Sequence, residues 1–424
     1  MAAGERILIV SHGHPELSPG GAEFAAYSVF QALQRTPDIE AVFLAWTGGA
    51  AQRRGGTPFA TFRGRTDEIL FCTDTFDHFL FSQPTDIVDQ FALLLRRVAP
   101  DVIHLHHFSK IGLEFIALAR RINPDVRIMI TLHEYLAICN NYGQMIKTNS
   151  HALCYEASPH DCAGCFKDIP AAEFLLRQKF IQSHFEMVDL FIAPSEFLRQ
   201  RYIAWGLPAW QIVLLDNGTP AVEPPRPRQR AQGEGRGVFG FFGQINPYKG
   251  LLQLLAALDY IGQAPAEMRA GIRLMVHGAN LEFNAADYVD AVTKALARTA
   301  SRVHFAGPYE RRDIGRLMAG VDWVVVPSIW WENSPLVIQE AFAHRRPVIC
   351  SNIGGMAEKV VAGQDGFHFQ VGDPFDLAGL MLRLAGDVAL WDRLQGRIRR
   401  PMTIEESVAR LLELYRDRSF AVMR

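Results

Sequence analysis

The chain lacks most of what would mark it as secreted, membrane-spanning or nucleic-acid-binding. The start, MAAGERILIV, has no basic opening, apolar stretch and small-residue cleavage site of a secretory signal. No apolar run approaches the roughly 18 residues needed to span a bilayer. Charge of one sign is missing too: the formal net charge is −2, so no global basic field favours nucleic acid. These absences predict a cytoplasmic protein, with peripheral contact at the inner face of a membrane left open. Cysteine is sparse, six in 424 residues. In a cytoplasmic protein those six are reduced thiols or metal ligands, not disulfides.

What is present is ordinary for a globular enzyme: 49% hydrophobic and 21% charged residues. At 424 residues the chain is too long for one core, so two domains of about 200 residues each are expected. Short apolar runs alternate with amphipathic stretches, the pattern of parallel sheets covered by helices. Residues 6–11, 41–46, 101–106, 126–132, 190–193 and 212–215 read as strands of a first half. Residues 219–237, TPAVEPPRPRQRAQGEGRG, hold four prolines and three glycines without apolar periodicity and read as a linker. A fresh α/β pattern begins at residue 238. The expected organisation is therefore 1–218, linker 219–237, a second domain over 238–400 and a terminal helical segment over 401–424.

The most informative stretch is 321–353, VDWVVVPSIWWENSPLVIQEAFAHRRPVICSNI. It predicts a buried strand, a tight loop, a helix and a second buried strand. Ser334 reads as the N-cap and Pro335 as the first helical residue. The N–H groups of Leu336 and Val337 then lack partners inside the helix and offer a phosphate site. Glu332 lies in the loop, and Glu340 about 1.5 turns into the helix. One carboxylate can reach past the phosphate and the other can point back to a polyol, which suits a nucleotide sugar.

Glu332 and Glu340, separated by seven residues, preceded by VVVPS and followed by EAFAHRRPVICSNIGG, resemble the donor-site signature of retaining glycosyltransferases of the GT-B fold, family 4. The resemblance implies an α/β fold of two Rossmann-like domains facing across a cleft. The first would be the acceptor domain and the second the nucleotide-sugar donor domain, with a C-terminal helix returning to the first. By resemblance, Glu332 meets donor-sugar hydroxyls and Glu340 the ribose hydroxyls, with backbone donors near Ser334, Pro335, Leu336 and Val337. Lys249, in GQINPYKG, places a point charge against the diphosphate leaving group. The family's usual arginine five residues earlier is Gln244 here, which can hydrogen-bond a phosphate but brings no charge. His277 and Tyr309, at strand ends, complete the expected nucleotide contacts.

On the acceptor side, Gly20-Gly21 resembles the family's N-terminal glycine loop, where backbone approaches the diphosphate. It is not G-x-G-x-x-G, so NAD is not expected. His133 ends the strand over 126–132 and can donate to a sugar hydroxyl near the anomeric centre. Of His104, His106 and His107, one is expected to line the cleft. No enzyme nucleophile stands out, and the resemblance implies front-face transfer in which the leaving diphosphate helps to deprotonate the acceptor. No Asp-x-Asp motif lies in a suitable setting, so no catalytic metal is expected.

Residues 139–165 form a cysteine-bearing insertion. Cys139, Cys154, Cys162 and Cys165 could hold a structural zinc, the last two in a C-x2-C knuckle, with His151 and His160 as spare ligands. The following helix carries Phe174, Leu175, Phe180, Ile181 and Phe185, a face read as core rather than as a lipid contact. The expectation is thus a hexosyltransferase using a nucleoside-diphosphate sugar and a glycan or lipid-linked glycan acceptor in bacterial surface polysaccharide assembly. The alternatives are a nucleotide-sugar epimerase of the same fold and a non-catalytic binding or assembly protein.

Overall fold

A computed structural model describes residues 4–48, 56–224 and 227–420. Parts of the expected linker (225–226) and of the terminal segment (421–424) lie outside the described residues. The chain divides into two compact units: Met1–Gly218 together with Met402–Arg424, and Thr219–Pro401.

In the first unit the strands are β1 (Glu5–Ser11), β2 (Ile39–Trp46), β3 (Phe59–Phe62), β4 (Arg65–Phe71), β5 (Val102–Leu105), β6 (Arg127–Thr131), β7 (Leu190–Ala193) and β8 (Ile212–Leu214). Among the described residues they form one eight-stranded sheet in the order β3-β4-β2-β1-β5-β6-β7-β8. All neighbours are parallel except β3 and β4. β5, β6 and β7 are buried along their whole length, as strands covered on both faces must be. That is why they appear in the sequence as continuous apolar runs. The antiparallel β3–β4 hairpin was not anticipated. Its strands mix exposed charges with apolar residues, and the pattern is weaker.

The helix Ile404–Arg416 closes this unit. It is opened by a capping box, with Thr403 accepting from the Glu406 N–H and the Glu406 side chain accepting from the Thr403 N–H. Ile404, Val408, Leu411 and Tyr415 enter the same core as Ile7, Ile9, Phe30 and Phe43. Tyr415 Oη meets His104 Nδ1 at 2.7 Å beneath the sheet's polar edge. The return of the C-terminal helix to the first domain is therefore present.

The second unit holds β9 (Val238–Gln244), β10 (Arg273–Ala279), β11 (Val303–Gly307), β12 (Trp323–Val326), β13 (Val348–Ser351) and β14 (Gly366–Phe369). Their order is β11-β10-β9-β12-β13-β14, parallel throughout. Helix Leu251–Gln263 buries Leu251, Leu254, Leu255, Leu258 and Ile261, a spacing that lines one helical face and packs it on the sheet. The strand order reverses direction between β9 and β12, a switch point where open parallel sheets hold ligands at strand carboxyl ends.

One local expectation fails. The helix after β12 spans Leu336–Ala343, with Pro335 rather than Ser334 at the N-cap and no side-chain cap. Pro335 keeps an extended ψ of 118°, so it is not yet helical. Ser334 Oγ instead accepts from Gln339 Nε2 at 3.4 Å.

Leu411→Ala is expected to destabilise the first unit by about 2–5 kcal/mol, because it opens a cavity between the returning helix and the sheet. Denaturant unfolding that leaves the midpoint unchanged would show that the helix is not part of that core.

Candidate functional site

The second unit builds its site from the carboxyl ends of β9 and β12. After β9, Asn246 Oδ1 accepts from the N–H groups of Tyr248 (3.0 Å) and Lys249 (3.2 Å), which fixes a short turn over Pro247–Lys249. Gly250 then takes φ +73°, and a Cβ there would lie 1.8 Å from the Pro327 carbonyl oxygen. Glycine is required for that crossing. The two loops are thereby pressed together, and Lys249 Nζ reaches Glu332 Oε1 at 2.5 Å.

The same oxygen of Glu332 accepts from Ser328 Oγ at 2.8 Å and Trp330 Nε1 at 3.0 Å. Burial alone would raise this carboxyl, but the Lys249 ammonium and the Ser328 and Trp330 donors outweigh it and hold the group below its ordinary range. The Lys249 ammonium also lies 5.8 Å from the centre of the Trp330 ring. Behind the loop, the Gly355 N–H donates to the Glu332 carbonyl at 2.8 Å, and a Cβ on Gly355 would fall 1.4 Å from the Asn333 carbonyl oxygen. Glu332 is therefore held from both its side chain and its backbone.

Glu340 is largely covered, with its side chain 15% exposed, in the second turn of helix Leu336–Ala343, and that partial burial raises its carboxyl despite Arg311 Nη2 at 3.4 Å. Arg311 thus neighbours Glu340 rather than standing in for an arginine at Gln244, whose own side chain is exposed. Tyr309 is pushed up by burial and then by the Glu340 charge. It meets His277 edge-on, with ring centres 6.2 Å apart, and His277 stacks on Phe242 at 4.9 Å. Burial lowers His277, so it is a neutral ring in an aromatic wall. The structure brings Lys249 to Glu332, and Tyr309 and His277 towards Glu340.

The first unit carries its own polar cluster, at the carboxyl ends of β1, β5 and β6. Gly20 is the N-cap of helix Gly21–Gln34, and a Cβ there would lie 2.3 Å from Glu23 Oε2. Glu23 pairs with His12 at 3.1 Å, and His12 lies against His107 with ring centres 4.2 Å apart. His107 Nδ1 accepts from the Ser109 N–H at 2.9 Å, which assigns its proton to Nε2, 3.2 Å from Glu134 Oε1. Burial pushes Glu134 up to about 8 and His107 well down, so this pair does not set two full charges against each other at neutral pH. His133 Nε2 meets His106 Nδ1 at 3.0 Å, and burial pushes His133 down to about 3. His133 is a neutral imidazole, suited to a hydrogen bond and not to supplying positive charge.

Sequence reasoning missed His12, Glu23, Glu134, Ser328 and Trp330. The only available signal was their position just beyond apolar strands. It also missed the pair of His14 and Glu68, 3.0 Å apart and both buried, joined by the Tyr27 hydroxyl.

The zinc expectation receives no support. Cys139, Cys154, Cys162 and Cys165 line one small pocket with Met145, Ile146 and Phe166. Among the described residues, however, no group of three or more His, Cys, Asp or Glu side chains is arranged to hold a metal ion. Burial raises the thiols of Cys139 and Cys154, and that of Cys162 to about 12. Cys154 Sγ donates instead to the Glu156 carbonyl. The segment also orders part of itself as a helix, Pro159–Cys165, capped by Ser158. On the next helix Phe174, Ile181 and Phe185 are core, while Leu175 and Leu176 are exposed. No helix among the described residues is long and apolar enough to cross a membrane.

Comparison with known proteins gives two family matches. Residues 19–221 match the model described as Glycosyltransferase Family 4, and residues 236–387 match Glycosyl transferases group 1. The chain is 31% identical over 186 residues to lipopolysaccharide 1,2-N-acetylglucosaminetransferase of Salmonella typhimurium, covering 42% of this chain and 48% of that protein. It spans about half the length of that relative. It is 27% identical over 342 residues to D-inositol 3-phosphate glycosyltransferase of Nocardioides sp., covering 74% and 67%. Among solved structures, Anabaena Alr3699/HepE with UDP and glucose aligns with TM-score 0.66 and 18% identity over 97% of this chain and 99% of that one. Sucrose-phosphate synthase from Thermosynechococcus elongatus aligns with TM-score 0.68 and 17% identity over 97% and 98%. Those two structures share the fold: GT-B, with two Rossmann-like α/β domains.

Gly355→Ala should cost the second unit roughly 1–3 kcal/mol, because its methyl collides with the backbone beside Glu332. Gly379→Ala, on an exposed helix surface with nothing within 4 Å of the new methyl, should gain about 0.5–1 kcal/mol. Denaturant midpoints moving the same way in both variants would contradict this geometry.

Proposed function

The chain belongs to glycosyltransferase family 4, the group 1 glycosyl transferases, and from that premise we propose that it transfers a hexose from a nucleoside-diphosphate sugar to a glycan or glycolipid acceptor, with retention at the anomeric carbon. The observation that carries the reading is the ion pair of Lys249 and Glu332 at 2.5 Å beside the start of helix Leu336–Ala343. In this reading the cation, the carboxylate and the N–H groups at the helix start, those of Leu336 and Val337, serve one donor. Glu340 follows in the second turn of the helix.

In this reading Lys249 and the helix start stabilise the charge that grows on the departing diphosphate. Such preorganised stabilisation is usually the largest part of catalysis. Glu332 accepts from donor-sugar hydroxyls and Glu340 from the ribose hydroxyls. Tyr309 and His277 flank the base, and Gln244 and the Ser334–Pro335 turn add uncharged contacts. Thr219–Pro401 would serve as the donor unit. Met1–Gly218 would serve as the acceptor unit, with Gly20-Gly21 admitting the diphosphate and His133 donating to the reacting sugar. The reading uses no metal for transfer.

A lipid-linked glycan of a bacterial surface polysaccharide is the acceptor we favour. The support is the likeness to the Salmonella lipopolysaccharide enzyme. Such an acceptor would be met by a cytoplasmic protein at the inner face of the membrane. One observation favours a second reading, a non-catalytic binder: Gln244 leaves the diphosphate with a single lysine. Release of nucleoside diphosphate from a nucleotide sugar only when acceptor is present separates the transferase from such a binder and from an epimerase.

Glu340→Ala is expected to weaken nucleotide-sugar binding by roughly 1.5–3 kcal/mol, through loss of a hydrogen bond to a charged group. Unchanged affinity by calorimetry removes Glu340 from the ribose. Lys249→Ala should lower kcat far more than it raises KM, because the leaving group gains charge only during transfer. Wild-type kcat in that variant would dismiss the leaving-group role.

A further inference from the structure

Within the donor-site reading, the arrangement around Glu332 carries one more consequence. Lys249 is bound to a carboxylate at 2.5 Å, so a phosphate must compete for it. The two partners differ in access. The lysine side chain is 29% exposed and the glutamate 9%. A ligand from solvent can draw Lys249 away, whereas Glu332 is anchored. Ser328 Oγ and Trp330 Nε1 donate to its Oε1, and Gly355 N–H holds its carbonyl. A diphosphate that takes Lys249 therefore leaves a buried carboxylate without its counter-ion. Uncompensated buried charge is strongly unfavourable. A ligand that also brings hydroxyl donors to Glu332 offsets that loss, and one that ends at the diphosphate does not.

We propose that the Lys249–Glu332 pair is a selectivity gate that favours a diphospho-sugar over the bare nucleoside diphosphate, and that Trp330 and Ser328 are positioning residues that hold Glu332 in place while Lys249 is drawn to the diphosphate. Both hold Oε1, so Oε2 is the oxygen offered to the sugar. The gate works by difference in affinity: the competing ligand is penalised by a group it cannot satisfy. It also favours release of the product, which is the donor stripped of its sugar. Trp330 has a double part, since its N–H fixes the carboxylate and its ring lies beside the ammonium.

The test uses the purified full chain and titration calorimetry with UDP and UDP-glucose, and with ADP, GDP and their glucose conjugates. The base that binds wild type is carried forward. Wild type should prefer the sugar conjugate. Glu332→Gln keeps the shape and removes the charge, so affinity for the bare diphosphate should rise by about 3–10-fold and the preference should collapse. Trp330→Phe keeps the ring and loses the N–H. It should lower kcat about tenfold and weaken the bare diphosphate more than the sugar conjugate, because Glu332 has one donor fewer once Lys249 leaves. Should Glu332→Gln fail to fold, Ser328→Ala carries the test: a larger loss of affinity for the bare diphosphate than for the sugar conjugate is expected, and equal loss for both ligands overturns the gate. Unchanged or weaker binding of the bare diphosphate by Glu332→Gln also overturns it. Wild-type kcat in Trp330→Phe overturns the positioning role. If no nucleotide binds wild type, the donor-site reading itself falls, and the gate with it.

Discussion

A buried carboxylate needs donors, and the second unit is arranged around supplying them to Glu332. The loop after β12 provides Ser328 and Trp330, the turn after β9 provides Lys249, and the helix after β13 supports the backbone through Gly355. Two separate chain segments must be in register for one carboxylate oxygen to be satisfied, and a third holds the backbone of the same residue. The glycines at 250 and 355 follow from this constraint, because any side chain at either position strikes a carbonyl of the facing loop. The parallel sheet brings these segments to one edge, and the carboxylate is what locks them there.

The first unit solves a similar problem differently. Its polar edge is built from imidazoles and carboxyls that share protons: His12 with Glu23, His107 with Glu134, His106 with His133. Burial keeps His106, His107 and His133 neutral. The result is a surface of hydrogen-bond donors and acceptors with little positive charge, in contrast to the Lys249 and Arg311 of the second unit. A polyhydroxylated ligand suits the first and a phosphorylated one suits the second.

Much of this was legible in the residues. The strands buried on both faces stood out as continuous apolar runs, and the glutamates at 332 and 340 were marked by the strand–loop–helix setting around them. What was not legible depended on distant pairing or on backbone detail. The His14–Glu68 contact joins residues 54 apart, and nothing local announces it. The β3–β4 hairpin carries too few apolar residues to show a period. Ser334 looked like a cap by composition, but the extended ψ of Pro335 delays the helix by one residue. The cysteine spacing resembled a ligand set; the fold lines one pocket with all four, and among the described residues no metal-binding arrangement accompanies it.

The helix Ile404–Arg416 has a consequence for biosynthesis. It belongs to the core of the first unit, although it is synthesised after the second. While the ribosome is still producing Thr219–Pro401, the nascent first sheet has every strand but lacks Val408, Leu411 and Tyr415, so the surface they will cover stays open to water. Domains ordinarily complete themselves in order of emergence from the ribosome. Here the first unit emerges before the second and is sealed after it, and an exposed apolar face during synthesis is a natural point of contact for chaperones.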